Sequence, residues 1–246
     1  MEYGYNNRPA RPVGFLWYKE LLGDNYGRFL KLNMLTLAGM LPFGFGILFA
    51  VSASSVVVLI PACVLGGMIF GPFLSGLYDG LYRAFRYDPT PWWDAYVRSW
   101  KQNFLGSLIP GAILGLLLGM TIFAGLMMFW WAVISPSPAT VLLYIFSFLL
   151  MLMISTLYWP QLVLFRQSAG IRLRNAMMFC IQYFWRMLGV CVLQAVYWLI
   201  YVLFAPWTLV VLPFIGIWYI VFLSQFFIYD QLDEALSIED SFREAQ

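Results

Sequence analysis

The stretch LYDGLYRAFRYD, at positions 77–88, contains the densest group of residues in this sequence that could do chemistry. Charged residues are 11% of the chain, yet four of these twelve are charged: Asp79, Arg83, Arg86 and Asp88. Asp79 precedes Arg83 by four residues, the order that favours an ion pair along a helix. Two interpretations stay open. The group is either a self-paired cluster at a membrane surface, or a polar contact inside a helix bundle or on a solute path.

Polar side chains within apolar segments are the other candidates, because such residues are costly in a membrane and often mark a functional site. The candidate binding residues are Asn33, Asp79, Arg83, Gln161 and Arg166. Gln194 and Gln225 also interrupt apolar runs. These positions form no carboxylate pair, and no acid lies near the centre of a predicted span, which argues against a proton- or sodium-coupled carrier.

Several kinds of active-site chemistry find no support in the sequence. The chain has no histidine, which excludes Ser-His and Cys-His nucleophile pairs and histidine metal sites. Its three cysteines, Cys63, Cys180 and Cys191, have no C-x-x-C spacing and are interpreted as small buried hydrophobic residues. No phosphate-binding loop, serine elbow or H-E-x-x-H motif occurs. We therefore predict no catalytic residue, metal or cofactor, and a chain that is not an enzyme.

The composition indicates a membrane protein. Hydrophobic residues make up 62% of the chain and aromatic residues 20%, and the mean hydropathy is +0.78. Soluble domains are about half apolar and about a quarter charged, so the expected partner is the lipid bilayer. The net charge of +2, without a basic cluster, predicts no nucleic-acid binding. The apolar runs predict an all-α, polytopic transmembrane bundle. Its six spans are predicted at 32–52, 56–82, 104–134, 139–165, 187–205 and 207–229.

The distribution of basic residues predicts the orientation of these spans. All fourteen Lys and Arg lie before the first span, in the second and fourth connections, or in the tail. The positive-inside rule then places both termini in the cytoplasm. Three regions follow. Residues 1–31 form a cytoplasmic segment with an interfacial helix, residues 32–229 form the membrane domain, and residues 230–246 form an acidic cytoplasmic tail.

Amphipathic segments beside the spans predict helices that lie on the cytoplasmic membrane surface. In the clearest of them Trp93 and Trp100 share one helical face and Arg98 lies opposite, so the tryptophans are expected at headgroup level. The three segments are 91–104, 168–186 and 13–31.

Small residues at four-residue spacing predict close helix packing. The third span contains Ser107, Gly111, Gly115 and Gly119, and the second contains Gly67, Gly71, Gly76 and Gly80. Such stripes let two helix backbones approach, so we expect these two spans to touch. The alternative is a homo-oligomer that forms through Gly111, Gly115 and Gly119.

Residues 71–104, GPFLSGLYDGLYRAFRYDPTPWWDAYVRSWKQNF, combine several short motifs. They are a Gly-Pro, a later Gly, an Arg pair, an aromatic-Asp-aromatic stretch and Lys-x-Asn-aromatic. Upstream, FLKLNMLTLAGMLPFGFG at 29–46 has a Lys-Leu-Asn run followed by Leu-Pro. Over residues 29–104 the chain therefore resembles the YesL-like bacterial integral membrane proteins, a family without an assigned function.

The resemblance implies a multi-pass protein of the bacterial cytoplasmic membrane. Genes of that family often lie beside genes for carbohydrate ABC transporters, so it also implies a non-enzymatic accessory of carbohydrate uptake with transporter subunits as partners. The alternative is a small-solute transporter or an ABC-type permease subunit, in which 83–101 would dock an ATPase. No residue role follows from the resemblance.

Overall fold

The computed structural model describes residues 14–131, 135–236 and 238, and every regular element within these ranges is helical. A π-helical turn, Leu126–Trp130, follows the third helix directly. The α-helices are α1 (Phe15–Ser52), α2 (Val56–Phe85), α3 (Trp92–Gly125), α4 (Pro138–Leu164), α5 (Ala169–Gln182), α6 (Phe184–Leu203), α7 (Trp207–Ile215) and α8 (Ile217–Leu236).

Five of these helices are long and apolar enough to cross a membrane, and the bent pair α7–α8 would make a sixth, by length and composition. The all-α polytopic bundle is therefore confirmed. The ends of α2, α4 and α6 lie within a few residues of the predicted boundaries. We call the end of the bundle where α2 ends and α3 begins the charged end.

The first helix is longer than predicted. The segment 13–31 was predicted as a separate surface helix, but α1 runs without a break from Phe15 to Ser52. The reason is a buried stripe along its first half, where Trp17 packs on Phe85 and Tyr229, with ring centroids 5.8 and 5.5 Å apart. A boundary at residue 31 therefore falls inside one packed helix. Residues 1–13 lie outside the described part of the chain.

The other two amphipathic segments differ from each other. Segment 91–104 is the first part of α3, which continues through it with no break, so it is not a separate surface helix. Lys31 lies over the ring of Trp92, with its ammonium 5.1 Å from the ring centroid, which ties this part of α3 to α1. Segment 168–186 does contain a separate helix, α5, which begins after Ser168 and buries Ala176 and Phe179.

The sixth span is broken. We predict one helix over 207–229, but α7 ends at Ile215, α8 begins at Ile217, and the two are bent by 56°. Pro213 contributes to the break, because proline has no N–H to donate within a helix. Helix α8 then continues to Leu236, so the start of the predicted acidic tail is helical. Residues 237 and 239–246 lie outside the described part.

Helices α2 and α3 pack backbone against backbone, as the glycine stripes predict. A Cβ built on Gly111 would overlap the carbonyl oxygen of Gly67, and one built on Gly67 would overlap the carbonyl of Gly111. One turn away, a Cβ on Gly71 would overlap the carbonyl of Ser107. The contact therefore depends on glycine on both sides.

The same packing bears on the predicted homo-oligomer. Gly111, Gly115 and Gly119 are all buried within the chain, the last of them against the thiol of Cys63. Helix α2 occupies this stripe, so a second copy could reach it only by displacing α2. All three cysteines are buried and free, in agreement with their predicted interpretation.

A buried polar network joins four helices. The amide nitrogen of Gln194 on α6 donates to the hydroxyls of Thr156 on α4 (2.8 Å) and Ser224 on α8 (2.9 Å). Gln225 donates to the carbonyl of Thr156 (3.0 Å) and accepts from the hydroxyl of Tyr82 on α2 (2.7 Å). Hydrogen bonds between membrane helices contribute about 0.6–2 kcal/mol each. Gln194 and Gln225 are thus explained by helix association.

Candidate functional site

A cavity of about 820 Å³ lies at the charged end, between the end of α2, the start of α3, and the turn from α4 to α5. We call it the arginine cavity. Its uncharged polar lining includes Gln102, Asn103 and Gln167, and residues 162–165, at the end of α4 and directly after it, supply an apolar wall. Its charged lining residues are Asp79, Arg83, Arg86, Asp88, Arg166 and Arg172.

The cavity lies where α3 and α4 stand apart. Near their other ends these helices touch, because the hydroxyl of Tyr144 on α4 donates to the carbonyl of Thr121 on α3 (3.1 Å) and its ring lies 5.8 Å from that of Phe129. At the charged end Gly106 of α3 lines the cavity, and a Cβ built on it would meet no atom within 4 Å. The two helices therefore flank a cleft that is open at the charged end.

Arg83 binds both carboxylates of the cavity. Its Nε lies 2.6 Å from Asp79 Oδ2, and its Nη1 lies 2.6 Å from Asp88 Oδ2. The ion pair predicted from the four-residue spacing is therefore present, with a second carboxylate on the same guanidinium. Asp79 is only 5% exposed. A carboxylate so buried needs a charged partner, because an unpaired charge away from water is strongly unfavourable.

The end of α2 brings Asp88 back to Arg83. The N–H of Asp88 donates to the carbonyl of Arg83 (2.9 Å), and the N–H of Tyr87 donates to that of Ala84 (3.0 Å). These two bonds form a Schellman motif, whose left-handed position usually holds glycine. Here it holds Tyr87, with φ of 54°, a conformation that costs a non-glycine residue about 1–3 kcal/mol. This strained conformation turns the backbone so that the Asp88 carboxylate lies beside Arg83.

Asp88 stays ionised at neutral pH. Its burial opposes ionisation, but hydrogen bonds from Thr90 and Arg83 outweigh that effect and lower the pKa of Asp88 to about 2. The hydroxyl and the N–H of Thr90 both donate to Asp88 Oδ1, at 2.6 and 2.9 Å. Both oxygens of this carboxylate are thus engaged.

Two of the other lining arginines, Arg172 and Arg166, differ in the contacts they make. Arg172 donates to the hydroxyl of Tyr158 (3.3 Å) and to the carbonyl of Gln167 (2.5 Å), and its guanidinium lies over the Tyr158 ring. Its Nε is buried and has no hydrogen-bond partner among the described residues. Arg166 is exposed, and no ion pair joins it to any residue in the described ranges. Four arginines and two carboxylates give the lining a formal charge of +2.

The structure brings three of the five predicted site residues together. Asp79, Arg83 and Arg166 all line the arginine cavity. Gln161 instead borders a smaller cavity of about 110 Å³ between α4, α5 and α8, where its amide donates to the carbonyl of Leu157 (3.0 Å). Arg172 was not predicted as a site residue, although it was assigned to the same side of the membrane as Arg83.

Asn33, the fifth predicted residue, forms hydrogen bonds with the backbone at the break between α7 and α8. Its amide nitrogen donates to the carbonyls of Leu212 (3.0 Å) and Pro213 (2.8 Å), and its oxygen accepts from the N–H of Trp218 (3.3 Å). Three aromatic side chains donate hydrogen bonds to the other carbonyls at the break. The Trp218 indole donates to the carbonyl of 214, the Tyr201 hydroxyl to that of 215, and the Tyr197 hydroxyl to that of 216.

Every carbonyl from 212 to 216 therefore accepts a side-chain hydrogen bond. Transporters with broken helices use freed carbonyls to coordinate cations. Here the carbonyls are occupied by the chain's own side chains, so the geometry at Asn33 supports a structural role.

We predict that Asn33→Leu lowers the stability of the detergent-purified protein by about 1–3 kcal/mol, because it strands buried backbone groups at the break. Asn25→Leu is the matched control, since within the described ranges the Asn25 side chain bonds only to the carbonyl of Leu21 in its own helix (3.1 Å). Thermal unfolding followed by tryptophan fluorescence measures both. Equal melting temperatures for the two variants would contradict the role assigned to Asn33.

The class of protein follows from the helices: a polytopic all-α membrane protein with a cavity at its charged end. Comparisons with protein-family models, curated proteins and solved structures give no match. No family is therefore assigned, and the resemblance over residues 29–104 stays a prediction.

Proposed function

We propose that this chain is a non-enzymatic, multi-pass membrane protein that binds an anionic group in the arginine cavity. The observation that carries the proposal is the charge balance of the lining: both carboxylates bind Arg83, whereas Arg166 and Arg172 form no ion pair within the described ranges. Guanidinium groups are suited to phosphate and carboxylate ligands, because their planar N–H donors match two acceptor oxygens at once.

Binding is favoured over catalysis by the state of the two carboxylates. A general base must be free to accept a proton from its substrate. Asp79 and Asp88 are each held by Arg83, and Asp88 also accepts two hydrogen bonds from Thr90. With no histidine in the sequence, the cavity has donors to hold an anion but no free base to transform it.

Anion binding is tested by the thermal stability of the detergent-purified protein with added inorganic phosphate, sulfate or a short-chain phosphatidate. At least one anion should raise the melting temperature, because a ligand that binds only the folded state stabilises it. The double variant Arg166→Gln/Arg172→Gln should lose most of that rise, whereas Arg98→Gln, an exposed position outside the cavity, should keep it. No response to any of the anions would refute the proposal.

The cellular role we propose is that of an accessory to carbohydrate uptake in the bacterial plasma membrane. It rests on the resemblance over residues 29–104. Purification after mild detergent extraction separates this role from that of a permease subunit. A stoichiometric ATPase partner would support a permease subunit. Copurification with a transporter that already contains its own permease and ATPase subunits would support an accessory.

We also propose that the charged end faces the cytoplasm, because the predicted positive-inside orientation places the basic residues there. Single cysteines at Ser54 and Ser137 should react with an impermeant maleimide added outside intact cells, and a cysteine at Arg174 should react only after permeabilisation. The native cysteines are buried and give a low background. Labelling at position 174 from outside would reverse the orientation.

A further inference from the structure

The arginine cavity has a charged wall and an apolar wall. The charged side chains lie in the last turns of α2, in the connections that follow α2 and α4, and in the first turn of α5, whereas residues 162–165 and Gly106 form a wall without charge. Beside Gly106, Leu105 and Ile109 are 78% and 70% exposed. Large apolar side chains so exposed on a spanning helix face lipid tails. The open side of the cleft between α3 and α4 therefore lies next to the acyl region of a bilayer.

We propose that the ligand of the arginine cavity is a phosphate-bearing membrane amphiphile. This inference rests on the proposed anion binding and names the class of anion. The phosphate binds Arg166 and Arg172, and the apolar chain leaves through the cleft past Gly106. A lipid phosphate is already held at the depth of interfacial arginines, so the ligand needs no path through water.

The size of the cavity supports an organic ligand over a bare ion. About 820 Å³ falls within the range of roughly 300–1,000 Å³ that is usual for pockets of drug-sized ligands. The donors suit a phosphate. Arg172 is fixed by the Tyr158 hydroxyl and the Gln167 carbonyl, yet keeps a buried Nε without a partner in the described part of the chain. Arg166 adds a cation with no ion pair among the described residues.

A substitution at Gly106 tests binding of the ligand's apolar chain independently of binding of its phosphate. A Cβ at Gly106 meets no atom within 4 Å, and leucine is a better helix former than glycine, which costs about 0.8–1 kcal/mol relative to alanine in a helix interior. Gly106→Leu should therefore fold normally and fill the cleft. Gly189→Leu is the matched control, because Gly189 on α6 is equally open and lies outside the cavity.

The test measures binding of dioctanoyl phosphatidate, dioctanoylglycerol and inorganic phosphate to the full-length protein in a neutral detergent, by thermal shift and by native mass spectrometry. Phosphatidate should bind about tenfold or more tighter than inorganic phosphate, because buried methylenes add to the headgroup contacts. Dioctanoylglycerol should bind weakly. Arg166→Gln/Arg172→Gln and Gly106→Leu should each weaken phosphatidate binding about tenfold or more, and Gly189→Leu should not.

Each other outcome overturns the inference in a recognisable way. Equal binding of inorganic phosphate and phosphatidate, with no effect of Gly106→Leu, would mean a soluble anion, and the proposed anion binding would survive. Equal binding of dioctanoylglycerol would mean that the acyl chains alone are recognised. Binding of no probe, or binding that the two arginine substitutions leave unchanged, would remove the proposed function as well.

Discussion

Gly111→Val should leave little stable protein after detergent extraction. The added side chain would overlap the carbonyl oxygen of Gly67 and press on the Cα of Gly71. Both obstacles are backbone atoms of α2, so no side chain can rotate away and the helices must separate along the whole stripe. Overpacking a core costs about 1–3 kcal/mol where side chains can adjust, and here we expect a loss at or above the top of that range.

The measurement is the monodisperse fraction on size exclusion together with the melting temperature. Gly189→Val is the control, because it places the same β-branched side chain in a helix with open space around it and therefore carries only the helix-propensity difference. A Gly111→Val protein with the stability of this control would show that α2 and α3 do not meet backbone to backbone.

Arg83→Ala should be the most destabilising single change in the arginine cavity. It removes the shared partner of Asp79 and Asp88 at once, and Asp79 is buried. Breaking a buried ion pair by removing one partner costs about 3–5 kcal/mol, because the other charge stays buried without compensation. Asp79→Asn should cost much less, since it leaves no buried negative charge and Arg83 keeps Asp88.

Thermal unfolding of four variants, the two single changes, their combination and an arginine control, distinguishes these effects. The double variant Arg83→Ala/Asp79→Asn should recover part of the stability that Arg83→Ala loses, because the stranded carboxylate is gone. Arg98→Ala, at an exposed position, sets the baseline for losing an arginine. If Arg83→Ala and Asp79→Asn were equally mild, or if the double variant recovered nothing, the pair would not hold this end of α2.

The features that the sequence predicted well depend on residues close together in the chain. The spans follow from continuous apolar runs, and the Asp79–Arg83 pair follows from a four-residue spacing. The first half of α1 was predicted as a separate surface helix, and not as part of the first span, because Lys19, Glu20 and Asp24 lower its average hydropathy. Helix formation needs only one apolar stripe to bury, and Trp17 and Leu21, both buried, belong to that stripe.

The helix break at Asn33 and the arginine cavity depend on contacts between residues far apart in the chain, and a single sequence does not show which of these residues meet. Pro213 and Gly216 are local signals of a helix break, but Asn33 lies 179 residues before the first carbonyl it binds. The arginine cavity likewise requires the turn after α4 to bring Arg166 and Arg172 opposite Arg83. The distribution of charge along the sequence predicts that these arginines lie on one side of a membrane, but it does not indicate which of them share a cavity.

The burial of the three cysteines makes the chain resistant to oxidants and alkylating agents. Both classes of reagent act on an exposed thiolate. Burial raises the pKa of Cys180 to about 11, so only about one thiol in ten thousand is ionised at pH 7. Cys63 has no exposed surface and lies under Gly119, inside the packing of α2 against α3. Oxidative stress should therefore reach this protein through its exposed methionines, such as Met177 and Met178 on α5, before it reaches a thiol.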